Sequence, residues 1–171
     1  GVTGGSGLTA LGTVASGNLS NTAIVYPAGH IIKVTTHSST FAIATSSAAE
    51  ALESDATDIT VACTAGNKLH ITIAGGHIYA SGANFYFGAG MQITESGVDV
   101  DVFGGGCYQR SDGGNYDNDM LPSIIYTHTA VTTSVTIKAA TRCSASGTAY
   151  WEATNSAGRG PRRYMIQEEQ A

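Results

Sequence analysis

Charged side chains are scarce in this chain of 171 residues. Asp, Glu, Lys and Arg make up only 12% of it, and eight residues are basic. Leucine occurs six times, and there are three prolines and three cysteines. Long helices and coiled coils draw heavily on Ala, Glu, Lys, Leu and Arg, so this shortage excludes an extended helical architecture. No apolar run approaches the roughly 20 residues of a membrane-spanning helix. The first residues lack the basic start and apolar run of a secretory signal. A net charge of −5 offers no electrostatic reason to expect nucleic acid as a partner. Three cysteines, Cys63, Cys107 and Cys143, cannot all pair within one chain. Their strand-like surroundings suggest small apolar residues carried as reduced, buried thiols.

Gly, Thr and Ser are abundant, at 22, 21 and 16 residues. Together with Val, Ile and Tyr they predict an all-β protein with Gly-rich turns. The apolar fraction of 42% is ordinary, so charge-driven disorder is not expected. The first methionine is Met91, which suggests that residue 1 lies inside a longer chain or follows a cleavage. Residues 1–25 carry no charge and only scattered apolar side chains, among them Leu8, Leu11, Val14 and Leu19. Such a stretch is a flexible linker or an extended neck that packs against neighbouring chains. The expected organisation is a neck over residues 1–28 and a β-sandwich domain over residues 29–171.

From Gly29 onward a two-residue period dominates. Ile59, Val61 and Cys63 share one face, and so do Leu69, Ile71 and Ile73 after the short Ala65-Gly66-Asn67 stretch. This is a hairpin signature. Val98, Val100 and Val102 alternate with Asp99 and Asp101, and Val135 and Ile137 with Thr136 and Lys138. Further strands are expected over 31–35, 41–44, 78–80, 84–87, 91–94, 123–128, 148–153 and 164–168. Ten or so short strands without a convincing helix predict an antiparallel β-sandwich, jelly-roll-like. Residues 46–54, SSAAEALES, are the one helical candidate and could equally form a loop. The longest irregular stretch expected is 104–119.

No catalytic constellation stands out. Asp112, Asp117, Asn118 and Asp119 offer oxygen ligands, but Gly113-Gly114 falls where ligands should lie and no Glu closes the loop. A solvated polar loop is the simpler reading. Asp99 and Asp101 would sit about 7 Å apart along a strand, a spacing compatible with glycoside hydrolysis, but no sugar cleft accompanies them. His30, His37, His70, His77 and His128 show no zinc spacing. No nucleophile elbow or phosphate-binding glycine turn is present. The chain is therefore expected to be no enzyme and to need no cofactor or metal. Residues suited to contacting a ligand or receptor are Tyr108, Arg110, Asp112 and Tyr116 of the long loop, Trp151, and Arg159 and Arg162 of the RGPRR segment. Trp151 has an alternative as the core's largest residue, and the arginines as a solvated turn.

Several stretches together resemble a recurring C-terminal domain of bacteriophage tail-fibre and virion appendage proteins, of a type common in marine phages. They are GLTALGTVASG at 7–17, YPAGHIIKVT at 26–35, the strands at 58–63 and 68–73, and YMIQEE at 164–169. The resemblance covers most of the chain through turn and strand patterns, not catalytic signatures. It implies a virion structural protein, a homotrimer made in the host cytoplasm. Its partners would be other virion proteins and a host-surface glycan or protein, without nucleic acid and without membrane insertion. A carbohydrate-binding module of a secreted protein and a capsid-decorating protein are the alternatives.

Overall fold

A computed structural model of the chain describes residues 27–45, 53–54, 59–82, 85–109, 116–120, 122–143, 147–152 and 160–171. These residues form thirteen strands and, among them, no helix. Every pairing is antiparallel.

One sheet has the order β1 (Ile31–Ser39), β13 (Arg162–Glu169), β5 (Lys68–Gly75), β10 (Ser123–Thr129). A second has β2 (Ile43–Thr45), β12 (Gly147–Glu152), β6 (His77–Gly82), β9 (Tyr116–Met120). Each strand of the second sheet adjoins in sequence one strand of the first, in the same lateral order. The two are thus halves of a single four-stranded layer folded along one line, which crosses the described chain at residues 40–42 and 76. The opposing layer is β4 (Ile59–Ala62) with β3 (Glu53–Ser54), then β11 (Ser134–Cys143), β7 (Phe85–Glu95) and β8 (Val98–Gln109). Counting each folded strand once, successive strands alternate between the layers until the β7–β8 hairpin. Both layers then read as the interleaved order of an eight-stranded double Greek key. The fold is an all-β sandwich with jelly-roll topology.

The alternating patterns explain the core. Leu69, Ile71 and Ile73 of β5, Val135 and Ile137 of β11, and Met91 and Ile93 of β7 are all completely buried between the layers. Each such side chain contributes about 2 kcal/mol relative to exposure. The Ser96-Gly97 turn joining β7 to β8 has both φ angles positive, at 53° and 74°. Two such residues in succession give the twist that a tight hairpin requires.

The fold line has its own device. Gly75 and Gly76 both take positive φ, at 87° and 71°. Across them the inward-facing positions shift from odd numbers (Leu69, Ile71, Ile73) to even ones (Ile78). A side chain at Gly75 would also meet the Pro161 carbonyl oxygen, 2.8 Å from the position a Cβ would take. Both ends of the layer meet at one place: Gly29 N donates to Gln170 O at 2.8 Å, and Gln170 N to His30 O at 2.9 Å.

Three expectations are corrected. Strands β4 and β5 do not form a hairpin; β4 pairs with β11, and β5 with β13 and β10. Their apolar faces meet across the core, so the Thr64–Asn67 turn passes between layers. The stretch 104–119 is not one long loop, because β8 continues to Gln109 and Tyr116–Met120 is a strand. Glu53-Ser54, the end of the helical candidate, is a strand paired with β11, while 46–52 lie outside the described residues. So does the neck as far as residue 26.

Candidate functional site

The solvent face of the β1–β13–β5–β10 half is built in rows set by the strand register. Ser38, Arg163, Ala74 and Ser123 lie opposite one another, then Thr36, Met165, Thr72 and Ile125, then Val34, Gln167, His70 and Thr127. The first two rows mix short side chains with long ones. Ser38, Ala74, Thr36 and Thr72 lower the floor, and Arg163 and Met165 stand above it. The result is an open groove of about 650 Å³ lined by Thr36, His37, Ser38, Thr72, Ala74, Arg163, Tyr164 and Met165. Below it, His70 bridges two strands, with Nδ1 3.1 Å from Thr127 Oγ1 and Nε2 2.6 Å from Glu169 Oε2. Lys68 Nζ reaches the same carboxylate at 3.3 Å. The hydrogen bonds from His70 and Lys68 hold the Glu169 carboxyl below its ordinary range.

Large apolar side chains are exposed on this face and along its β1 edge. Ile31, Val34 and Phe41 are 44%, 54% and 52% exposed, and Ile125 on β10 is 72% exposed. The opposite layer exposes Tyr86 (62%) and Val98 (64%), and between them carries cross-strand polar pairs. Thr60 and Thr136 hydroxyls lie 3.2 Å apart, Thr94 donates to Asp99 at 2.5 Å, and Gln92 donates to Asp101 at 3.0 Å. Asp99 and Asp101 are thus exposed members of cross-strand polar pairs, not a carboxylate pair facing a cleft.

The sequence candidates are scattered by this architecture. Trp151 and Arg162 are completely buried, so neither can touch a ligand at the surface. The reason is strand alternation: in β13 Arg162, Tyr164 and Ile166 face the core, whereas Arg163 and Met165 face out. Trp151 Nε1 donates to Gly75 O at 2.9 Å, and Arg162 Nη1 donates to Trp151 O at 2.8 Å. The Arg162 guanidinium also lies 5.1 Å from the indole centroid. These two residues fasten the fold line. Tyr108 stands opposite Tyr86 in the β7–β8 ladder, and Tyr116 opposite Ala80 on β9. Arg110, Asp112 and Arg159 lie outside the described residues. Arg163, beside Arg162 in the RGPRR segment, faces the surface instead, and period-two alternation is what separates the two.

The end of the sandwich that carries the Thr64–Asn67 and Ala130–Thr133 turns is organised by two buried carboxylates. Glu95 accepts from Val131 N (2.8 Å), Thr132 N (2.6 Å), Thr132 Oγ1 (2.7 Å) and His128 Nε2 (2.8 Å). Burial pushes its carboxyl upward, but the bonds from Thr132, His128 and Val131 outweigh it and leave the group below its ordinary value. Glu168 accepts from Thr64 N at 2.7 Å and Asn67 Nδ2 at 2.8 Å. The two turns also bond directly, Gly66 N to Ala130 O at 2.7 Å and Ala130 N to Asn67 O at 2.9 Å. Beside them the half-buried Cys63 thiol is pushed up by burial and by the charges of Glu168 and Glu95. Cys143 is fully buried. His77 is buried and stacked on Tyr79, which stacks in turn on Tyr150. Among the described residues no group of three or more His, Cys, Asp or Glu is placed to hold a metal ion.

No protein-family model matches the sequence, nor does any curated protein. Among solved structures, the chain is similar to one from infectious bursal disease virus, Gt strain. The identity is 13% and the TM-score 0.39, covering 81% of this chain and 38% of that one. It is also similar to one from the Gx strain of the same virus, at 13% identity and TM-score 0.36, covering 94% and 42%. The chain thus spans about two fifths of the length of either. At these scores the likeness decides nothing about function, and the jelly-roll assignment rests on the strand order itself.

Proposed function

We propose that the chain is a virion structural protein, an appendage domain of the phage tail-fibre type that assembles as a homotrimer and attaches to a host surface. In this reading it is no enzyme; it is made in the host cytoplasm and resides on the particle, in contact with other virion proteins. The observation that carries the reading is the β1 edge. Among the described residues no strand pairs with β1 on the side away from β13. The strand is nine residues long, and Ile31 and Val34 on it, with Phe41 just beyond, are among the exposed large apolar residues. Long apolar edges invite pairing with another chain, and proteins that stay monomeric blunt them with charge, proline or a cover. Here the only charged side chain on the strand, Lys33, donates to Ala62 O within the same chain. The tail-fibre resemblance of the sequence supports the same reading.

Light scattering coupled to size exclusion tests it. The protein is expected to run as a trimer, and Val34→Lys to shift it towards monomer without lowering the fraction folded. A strict monomer would overturn the assembly reading and favour a carbohydrate-binding module. A trimer that adheres to no host surface would favour a decorating role on the capsid.

A further inference from the structure

We propose that the groove on the β1–β13–β5 face binds a carboxylate-bearing sugar, with the Arg163 guanidinium taking the carboxylate. The inference deepens the host-attachment half of the reading above and rests on it.

The first support is charge. Arg163 is exposed at the groove. None of the lining residues is Asp or Glu. The two acids of the same strand are engaged elsewhere: Glu168 turns inward to the Thr64–Asn67 turn, and Glu169 is held by His70 and Lys68 beyond the groove. On a chain with a net charge of −5, this is a local cationic spot with no described counter-ion.

The second support is the chemistry of the walls. A single planar guanidinium matches the two oxygens of a carboxylate with parallel hydrogen bonds. Thr36, Ser38 and Thr72 supply hydroxyls that donate or accept, as the hydroxyls of a sugar ring require. Met165 supplies an apolar wall, and Ala74 an apolar patch of floor, for the C–H face of a pyranose. The volume of about 650 Å³ lies within the usual span of small-ligand sites. The register fixes this set rigidly, because its members stand on three adjacent paired strands and not on loops.

The test is calorimetric titration of the assembled protein with short oligosaccharides containing glucuronate, galacturonate or a nonulosonic acid. Each is compared with its carboxyl-reduced twin. At least one acidic sugar should bind while its reduced twin does not, and Arg163→Gln should weaken that binding about tenfold. Arg163 is exposed, so this variant should melt like the parent. Thr72→Val should weaken binding by a smaller factor without altering assembly. No binding by any acidic sugar up to about 10 mM would overturn the proposal. So would equal binding of the reduced twin, or an unchanged affinity in Arg163→Gln. Light scattering on the same samples separates the two readings: a trimer that binds no acidic sugar sinks the groove alone, whereas a monomer that binds through Arg163 sinks the assembly and keeps the groove.

Discussion

The fold line and the turn end do the same task with opposite chemistry. At the fold line one indole, one guanidinium and a glycine carbonyl tie β12 and β13 to the end of β5, and the fastening depends on packing and on hydrogen bonds that involve no carboxylate. At the turn end Glu95 and Glu168 gather the backbone and side-chain donors of two turns, and at Glu95 the fastening depends on the carboxyl remaining ionised. A jelly roll therefore need not be uniformly sensitive to its surroundings. Acid should loosen one end of this sandwich and leave the other fastened.

The strongest way to break the comparison is Trp151→Ala. It removes the largest buried side chain and the donor to Gly75, and should cost about 4 kcal/mol in denaturant unfolding. The loss should be the same at pH 5 and at pH 7, whereas a strong pH dependence would show that the fold line is not independent of the acids. Next is Glu95→Ala, which leaves the part-buried donors of Val131 and Thr132 without their acceptor. It should cost about 3 kcal/mol at neutral pH.

The pH profile sharpens the contrast. The Glu95 carboxyl lies below its ordinary value of 4.5 in the folded chain, so its stabilisation is fully present above that value. It is lost as pH falls through the depressed folded value. Melting temperature followed downward from pH 6 should therefore fall less steeply for Glu95→Gln than for the parent, while Trp151→Ala should run parallel to the parent. The smallest effect is expected at the exposed polar pairs. Asp99→Asn loses one charge-assisted contact to Thr94 and should change stability by less than about 0.5 kcal/mol.

Much of the fold was legible because a two-residue period reports which side chains face the core. It predicted β5, β10 and β13 to within two residues of their ends, and the first five of the nine residues of β1. It does not report which strand lies alongside. That is why 59–63 and 68–73 read as a hairpin when each belongs to a different layer, joined by a turn that Glu168 holds from the strand beside β5. The glycines at 88, 90 and 104–106 hid the length of β7 and β8, since glycine breaks the apolar pattern without breaking the ladder. The site was less legible. Arg162 and Arg163 are adjacent and chemically identical, and only the phase of β13 sends one into the core and the other into the groove. The groove itself arises from short residues on three strands that are distant in sequence, and no local motif announces it.

The bond between Gly29 and Gln170 has a mechanical consequence. Tension applied through the two ends of the folded region acts where β1 and β13 begin to pair, at right angles to both strands. It would open their ladder one rung at a time, as a zipper opens, and would not load all the rungs together in shear. If this domain bears force through these ends, β1 is the strand that yields first, at low load. Closing β1's free side with a strand from a neighbouring subunit would add a second row of rungs to open before it could peel.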